Sequence, residues 1–129
     1  MFDFGIDFPM IDRRRQGLEH RINYGLKFVD DSADYPSHPV AITKFDRKTG
    51  EFQEWTRGEA VQPDEAFFVP APGATAEDEG WLLSMVYDRA ENRSELVILE
   101  ATDLAKGPIA RIAMPRRVPF GFHGEWIPA

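Results

Sequence analysis

At 129 residues, with 15 Lys and Arg against 22 Asp and Glu for a net charge of −7, the chain is sized for one domain and lacks the cationic excess that drives phosphate-backbone binding, so nucleic acid is excluded as an expected partner. Without cysteine there is no disulfide framework and no thiolate metal ligand, a composition compatible with the cytoplasm. The start Met1-Phe-Asp-Phe-Gly-Ile-Asp7 lacks the basic and apolar regions of a signal peptide, and no apolar run approaches the ~18 residues of a membrane helix, so the expectation is a soluble, cytoplasmic protein.

In chain order the pattern predicts strands almost throughout. Tyr24–Val29 is a short candidate strand, followed by a polar break at Asp30–Ser32 and a loop over Pro36–Pro39. Val40–Phe45 and Glu51–Trp55 alternate in polarity around the turn Asp46-Arg-Lys-Thr-Gly50, which predicts a hairpin. Ala66–Val69 is a third strand, stopped by Pro70 and Pro72, which cannot donate to a central ladder. Trp81–Tyr87 is nearly continuously apolar, as expected for a strand buried on both faces, and Asp88–Arg93 turns it back into Glu95–Leu99 to pair with it. A connector over Ala101–Gly107, with one helical turn capped by Thr102 or Asp103, leads to a last strand over Pro108–Met114. Ten Pro and ten Gly, with ten Phe, three Trp and three Tyr, supply the turns and the aromatic volume of an all-β chain.

The candidate chemistry concentrates at the carboxyl end. In Arg117-Val-Pro-Phe-Gly-Phe-His-Gly-Glu-Trp126 a single histidine, His123, stands among apolar residues and glycines, where the backbone can approach closely and a neutral imidazole is available to a metal. A lone histidine in such a run is more often a packed structural residue, so the ligand reading needs support from elsewhere in the chain. Other features read as structural. His20 and His38 are loop histidines, and Glu77-Asp78-Glu79 is a solvated acidic loop, since calcium loops place ligands at alternating positions. Arg13–Arg15 is a solvated connector. Ser84 lacks the glycine elbow of a nucleophile and reads as a hydrogen-bonded core serine, and Met85 and Tyr87 read as core. Phe120 and Phe122, two apart in an extended segment, face opposite ways, so that one lines a cavity and the other packs into the sheet.

The support comes from Asp64-Glu-Ala-Phe-Phe-Val-Pro-Ala-Pro-Gly-Ala-Thr-Ala-Glu-Asp-Glu-Gly80, running into Trp81–Asp88. Glu65 before Phe-Val-Pro, the Pro-Gly-Ala turn, the acidic run and the closing Val-Pro-Phe-Gly-Phe-His-Gly resemble the C-terminal part of the carotenoid cleavage oxygenase and lignostilbene dioxygenase superfamily. The resemblance extends from about Phe8 to Pro128.

The resemblance implies the C-terminal blades of a seven-bladed β-propeller, with residues 1–129 forming a single partial domain. It implies a non-haem Fe(II) enzyme that uses dioxygen to split a carbon–carbon double bond of an apolar, conjugated carotenoid, apocarotenoid or stilbene-type substrate. His123 matches the last of the family's four iron-ligating histidines. Glu65 matches an outer-shell glutamate that fixes a ligand's ring angle. Asp7, in Asp7-Phe-Pro-Met-Ile-Asp12, stands where family members often carry another such glutamate; it is one methylene shorter and is left out of the expected site. The remaining ligands are expected in polypeptide upstream of this chain, leaving the chain inactive alone and able to associate with that missing part, or with itself, through open strand edges. The alternative is a non-catalytic β-rich interaction module derived from such an enzyme.

Overall fold

The computed structural model describes residues 5–29 and 38–127. They form nine strands: β1 (Gly5–Met10), β2 (Ile22–Val29), β3 (His38–Asp46), β4 (Phe52–Trp55), β5 (Val61–Pro63), β6 (Phe67–Pro70), β7 (Gly80–Asp88), β8 (Arg93–Glu100) and β9 (Pro108–Ala113). The helical content among these residues is two single 3-10 turns, Arg13–Arg15 and Leu104–Lys106, the second capped by the Asp103 carboxylate on the Ala105 N–H. None of the described helices is long and apolar enough to cross a membrane. The Asp30–Ser32 break and the Pro36 end of the expected loop lie outside the described residues, whereas His38 and Pro39, read as loop, begin β3.

Two antiparallel sheets result. The first has the order β1-β2-β3-β4; in the second, β7 pairs with both β5 and β6 on one side and with β8 on the other, and β9 closes the edge. Successive antiparallel sheets of this kind match the blades of the β-propeller that the resemblance implies. The hairpin at Asp46–Gly50 forms as expected, with the Asp46 carboxylate accepting the Lys48 and Thr49 N–H groups and Gly50 at φ 76°. The sheets meet through one apolar cluster in which Ile22, Tyr24, Leu26 and Ile42 face Phe68, Leu82, Val86 and Leu99. Full burial of each such side chain contributes about 1.5–3 kcal/mol.

Three differences from the sequence reading have physical causes. Strands β1 and β5 were not expected: β5 has three residues, too few for a period-2 signal, and β1 is interrupted by a register shift between Asp7 and Met10 with Phe8 at φ 53°. Strand β7 alternates between buried and half-buried residues along its whole length, so one face meets the other sheet while Trp81, Leu83, Met85 and Tyr87 lie on a partly covered face. The acidic run is not a free loop. Glu77 accepts the backbone N–H groups of Arg21 (2.7 Å) and Ile22 (3.1 Å), and Asp78 pairs with the buried Lys44 ammonium at 2.8 Å, which also donates to the Thr102 carbonyl. Residues 77 and 78 thus staple the second sheet onto the first. The basic connector is engaged too, through Arg14 with Asp12 and Arg21 with Asp46.

Gly80 is required where the staple enters β7. A Cβ there would lie 2.2 Å from the Val69 carbonyl oxygen, closer than any side chain allows.

Burial alone would raise the Asp46 carboxyl, but the Arg21 guanidinium and the Lys48 and Thr49 N–H groups outweigh it and hold the pKa at about 2. Because the folded value lies below the ordinary one, the stabilisation is complete above the usual carboxylate range, ~4, and is lost as pH falls through about 2. The melting temperature is therefore expected to drop between those limits, and Asp46→Asn should lessen that drop; an unchanged acid limb in the variant would contradict the assignment.

Candidate functional site

Asp64 and Glu65 occupy the break between β5 and β6, both of which pair with β7. The Asp64 N–H donates to the Met85 carbonyl at 2.7 Å, and the hydroxyl of fully buried Ser84 donates to the Asp64 carbonyl at 2.6 Å. Ser84 is the hydrogen-bonded core serine expected from the sequence, and its task is to clamp this dipeptide onto the central strand. The Asp64 carboxylate in turn accepts the Glu65 N–H at 2.9 Å.

Fixed in this way, Glu65 is only 7% exposed. A carboxylate so placed must be satisfied by hydrogen-bond donors or it destabilises the fold. One oxygen, Oε2, accepts the Gly124 N–H at 2.9 Å; the other, Oε1, lies 3.5 Å from Nδ1 of His123. The carboxylate therefore straddles the histidine and the residue after it. The imidazole lies over Glu65 by one edge while 79% of its side-chain surface remains exposed, so its second nitrogen is not needed for packing.

The segment carrying His123 has no regular secondary structure after β9, yet it is tied down at regular intervals. Val118 donates to the Ser94 hydroxyl (2.9 Å), Gly121 to the Asp64 carboxylate (3.2 Å) and Gly124 to Glu65. Side-chain acceptors on the second sheet thus take a backbone N–H from every third residue of the tail, replacing a strand partner.

Gly124 is a glycine for a steric reason: a Cβ would stand 2.5 Å from the Phe67 ring. Phe120 lies edge-on to Tyr87 with the Arg117 guanidinium above both rings, yet it remains 58% exposed. Phe122 is 78% exposed and borders a cavity of about 230 Å³ shared with Glu65, Phe67, Met85 and His123. Both phenylalanines are exposed and both border a second cavity with Phe8 and Phe28, so the expectation that one of them packs into the sheet is not met: the tail lies on the surface and, among the described residues, has no covering layer on its outer side.

The other histidines have separate partners, His20 with Asn23 and His38 with Arg89. The Asp7 carboxylate accepts the N–H of its neighbour Phe8 at 2.8 Å. Among the described residues no three His, Asp or Glu side chains are grouped to hold a metal ion. Sequence reasoning missed Asp64 and Ser94 as anchors of the tail. Asp64 could have been found from its place beside Glu65; Ser94 carries no sequence signal.

The chain belongs to the carotenoid cleavage oxygenase and lignostilbene dioxygenase superfamily: the family model described as retinal pigment epithelial membrane protein matches residues 1–128. It is 36% identical to the isoeugenol monooxygenase of Pseudomonas nitroreducens over 99% of the chain and 28% of that protein. Among solved structures, the lignostilbene dioxygenase of Pseudomonas brassicacearum superposes with a TM-score of 0.89 at 31% identity, over 98% of this chain and 28% of that one. The cobalt-substituted apocarotenoid oxygenase of Synechocystis superposes with a TM-score of 0.87 at 32% identity, over 96% and 26%. The chain spans about a quarter of the length of the curated relatives it matches, 21–28%.

Gly124→Ala is expected to force residue 124 off Phe67 and to break its hydrogen bond to Glu65. The cost should fall in the range of about 1–3 kcal/mol usual for overpacking, read by urea unfolding, with loss of hydrogen-exchange protection at that amide. Wild-type stability together with wild-type protection would contradict the packing described.

Proposed function

We propose that this chain is the C-terminal segment of a non-haem Fe(II)-dependent dioxygenase that cleaves a carbon–carbon double bond of a carotenoid, apocarotenoid or stilbene-type substrate. In this reading His123 supplies one of the metal's ligands through Nε2, and Glu65 orients its ring. The observation that carries it is the single carboxylate that faces Nδ1 of His123 and at the same time holds the Gly124 N–H. A buried acceptor on one imidazole nitrogen fixes the tautomer that leaves the other nitrogen's lone pair for a metal, and it stops the ring from swivelling.

The fit of the residues to an iron centre is a partial one. An imidazole with a carboxylate partner is a suitable donor, but non-haem iron sites need several protein ligands in fixed geometry, and no such group occurs among the described residues. The remaining donors belong, on this proposal, to polypeptide that this chain does not contain, and the chain alone is inactive. Bound ferrous iron would supply the activation of dioxygen next to the conjugated alkene. The chain's own contribution is to hold the imidazole at a set angle and to present Phe122 and Phe67 as an apolar border for a flat, conjugated substrate. Relatives named for apocarotenoid and lignostilbene cleavage support that substrate class, while the isoeugenol monooxygenase is named for a different compound.

The alternative, a non-catalytic interaction module, draws on one observation: β9 lies at the edge of its sheet with Ile109 and Ile112 exposed, a surface suited to pairing with another strand. The same edge would serve docking onto the rest of the enzyme. Both readings allow association, and metal content separates them.

With an upstream segment carrying the family's other histidines supplied, the assembled protein is expected to bind iron. His123→Ala should abolish iron retention, and Glu65→Gln should weaken it by about 10–100-fold, measured as iron per polypeptide after gel filtration. Full occupancy in the His123 variant would end the ligand assignment. Association without metal in the wild type would favour the interaction module.

A further inference from the structure

Two non-glycine residues among those described have positive φ, Asn92 at 49° and Phe8 at 53°. Asn92 sits in the β7–β8 turn, where asparagine tolerates that region. Phe8 has no such excuse: it is aromatic, it lies within a strand, and it directly precedes Pro9, which itself biases the preceding residue toward extended conformations. A strained backbone persists only where its surroundings over-determine it, and such positions cluster at functional sites.

The surroundings here are specific. The Asp7 carboxylate accepts the Phe8 N–H at 2.8 Å, and the β1–β2 register slips between Asp7 and Met10 to accommodate the bulge. The bulge aims the phenyl ring. Phe8 stacks on Phe28 of its own sheet, with centroids 6.4 Å apart and planes 12° from parallel. It also meets the His123 ring at 5.3 Å and 49°, so a residue of the first sheet touches a tail docked on the second.

Glu65 holds the imidazole at one nitrogen only. A single contact leaves the ring free to rock about that point, and an imidazole held for metal binding needs its plane defined as well as its edge. We infer that Phe8 is a positioning residue for His123, its strained bulge placing a phenyl ring that sets the imidazole plane while Glu65 sets its edge. The inference rests on His123 being the metal-facing imidazole. It also gives Asp7 a role of its own, as the lock on the bulge.

The test is made on the full 129-residue chain with isotopically labelled histidine, reading Phe8–His123 ring-to-ring nuclear Overhauser effects and the picosecond-to-nanosecond order of the His123 ring by NMR relaxation. Phe8→Leu should release the ring, lowering its order parameter toward that of an unconstrained side chain, and Phe8→Tyr should keep wild-type order. Phe8→Gly removes the backbone strain together with the phenyl ring, so it should keep a dispersed amide spectrum while also freeing the imidazole; it covers the case in which the leucine variant fails to fold. A merely structural Phe8 would instead lower stability in both variants and leave the ring ordered in whatever remains folded, and that result would overturn the inference. Glu65→Gln separates the two levels: ring order lost there but kept in the Phe8 variants removes Phe8 and leaves the site reading intact, whereas ring order unaffected by Glu65→Gln undermines the site reading itself.

Discussion

A buried carboxylate without donors would destabilise the fold it sits in, and the way Glu65 avoids this organises the carboxyl end of the molecule. It lies beneath the tail with one oxygen on the Gly124 N–H and the other facing His123. Neither of these groups belongs to a sheet. The tail therefore docks where the acceptors are, and the histidine goes with it. An amide at the position of Glu65 could keep one of the two contacts with its carbonyl oxygen but would present an N–H group to the other.

The rest of the fold keeps Glu65 in place. Strand β7 pairs with β5, β6 and β8, and its Ser84 and Met85 grip Asp64 from inside the sheet. Glu77 and Asp78 fasten that sheet to the first one through Arg21, Ile22 and Lys44. The first sheet then returns a contact to the site through Phe8. Two blades and a tail without regular structure thus converge on one imidazole.

How much of this the sequence disclosed differed by kind of feature. Strands with a clean polarity pattern and a glycine-bearing turn, such as Val40–Phe45 with Glu51–Trp55, were legible because side-chain alternation is a local property. His123 stood out by its glycine and apolar neighbours, but Glu65 and its pairing with His123 were legible only through resemblance, since nothing in the spacing of residues 65 and 123 says that they touch. Ser94 and Gly124 were opaque because they act by where an oxygen or a missing Cβ falls in three dimensions. The acidic run misled for a related reason: three consecutive carboxylates look solvated until the backbone N–H groups of Arg21 and the buried Lys44 are known to lie opposite. The strained Phe8 was hidden because proline after it argues for an extended residue.

The account is tested most directly by the tautomer of the His123 ring, read from long-range proton–nitrogen correlations on the labelled chain at a pH where the imidazole is neutral. It predicts that Nδ1 carries the proton, shared with Glu65, and that Nε2 is unprotonated and open to a metal. A ring protonated chiefly on Nε2, as an unconstrained histidine prefers, would contradict it.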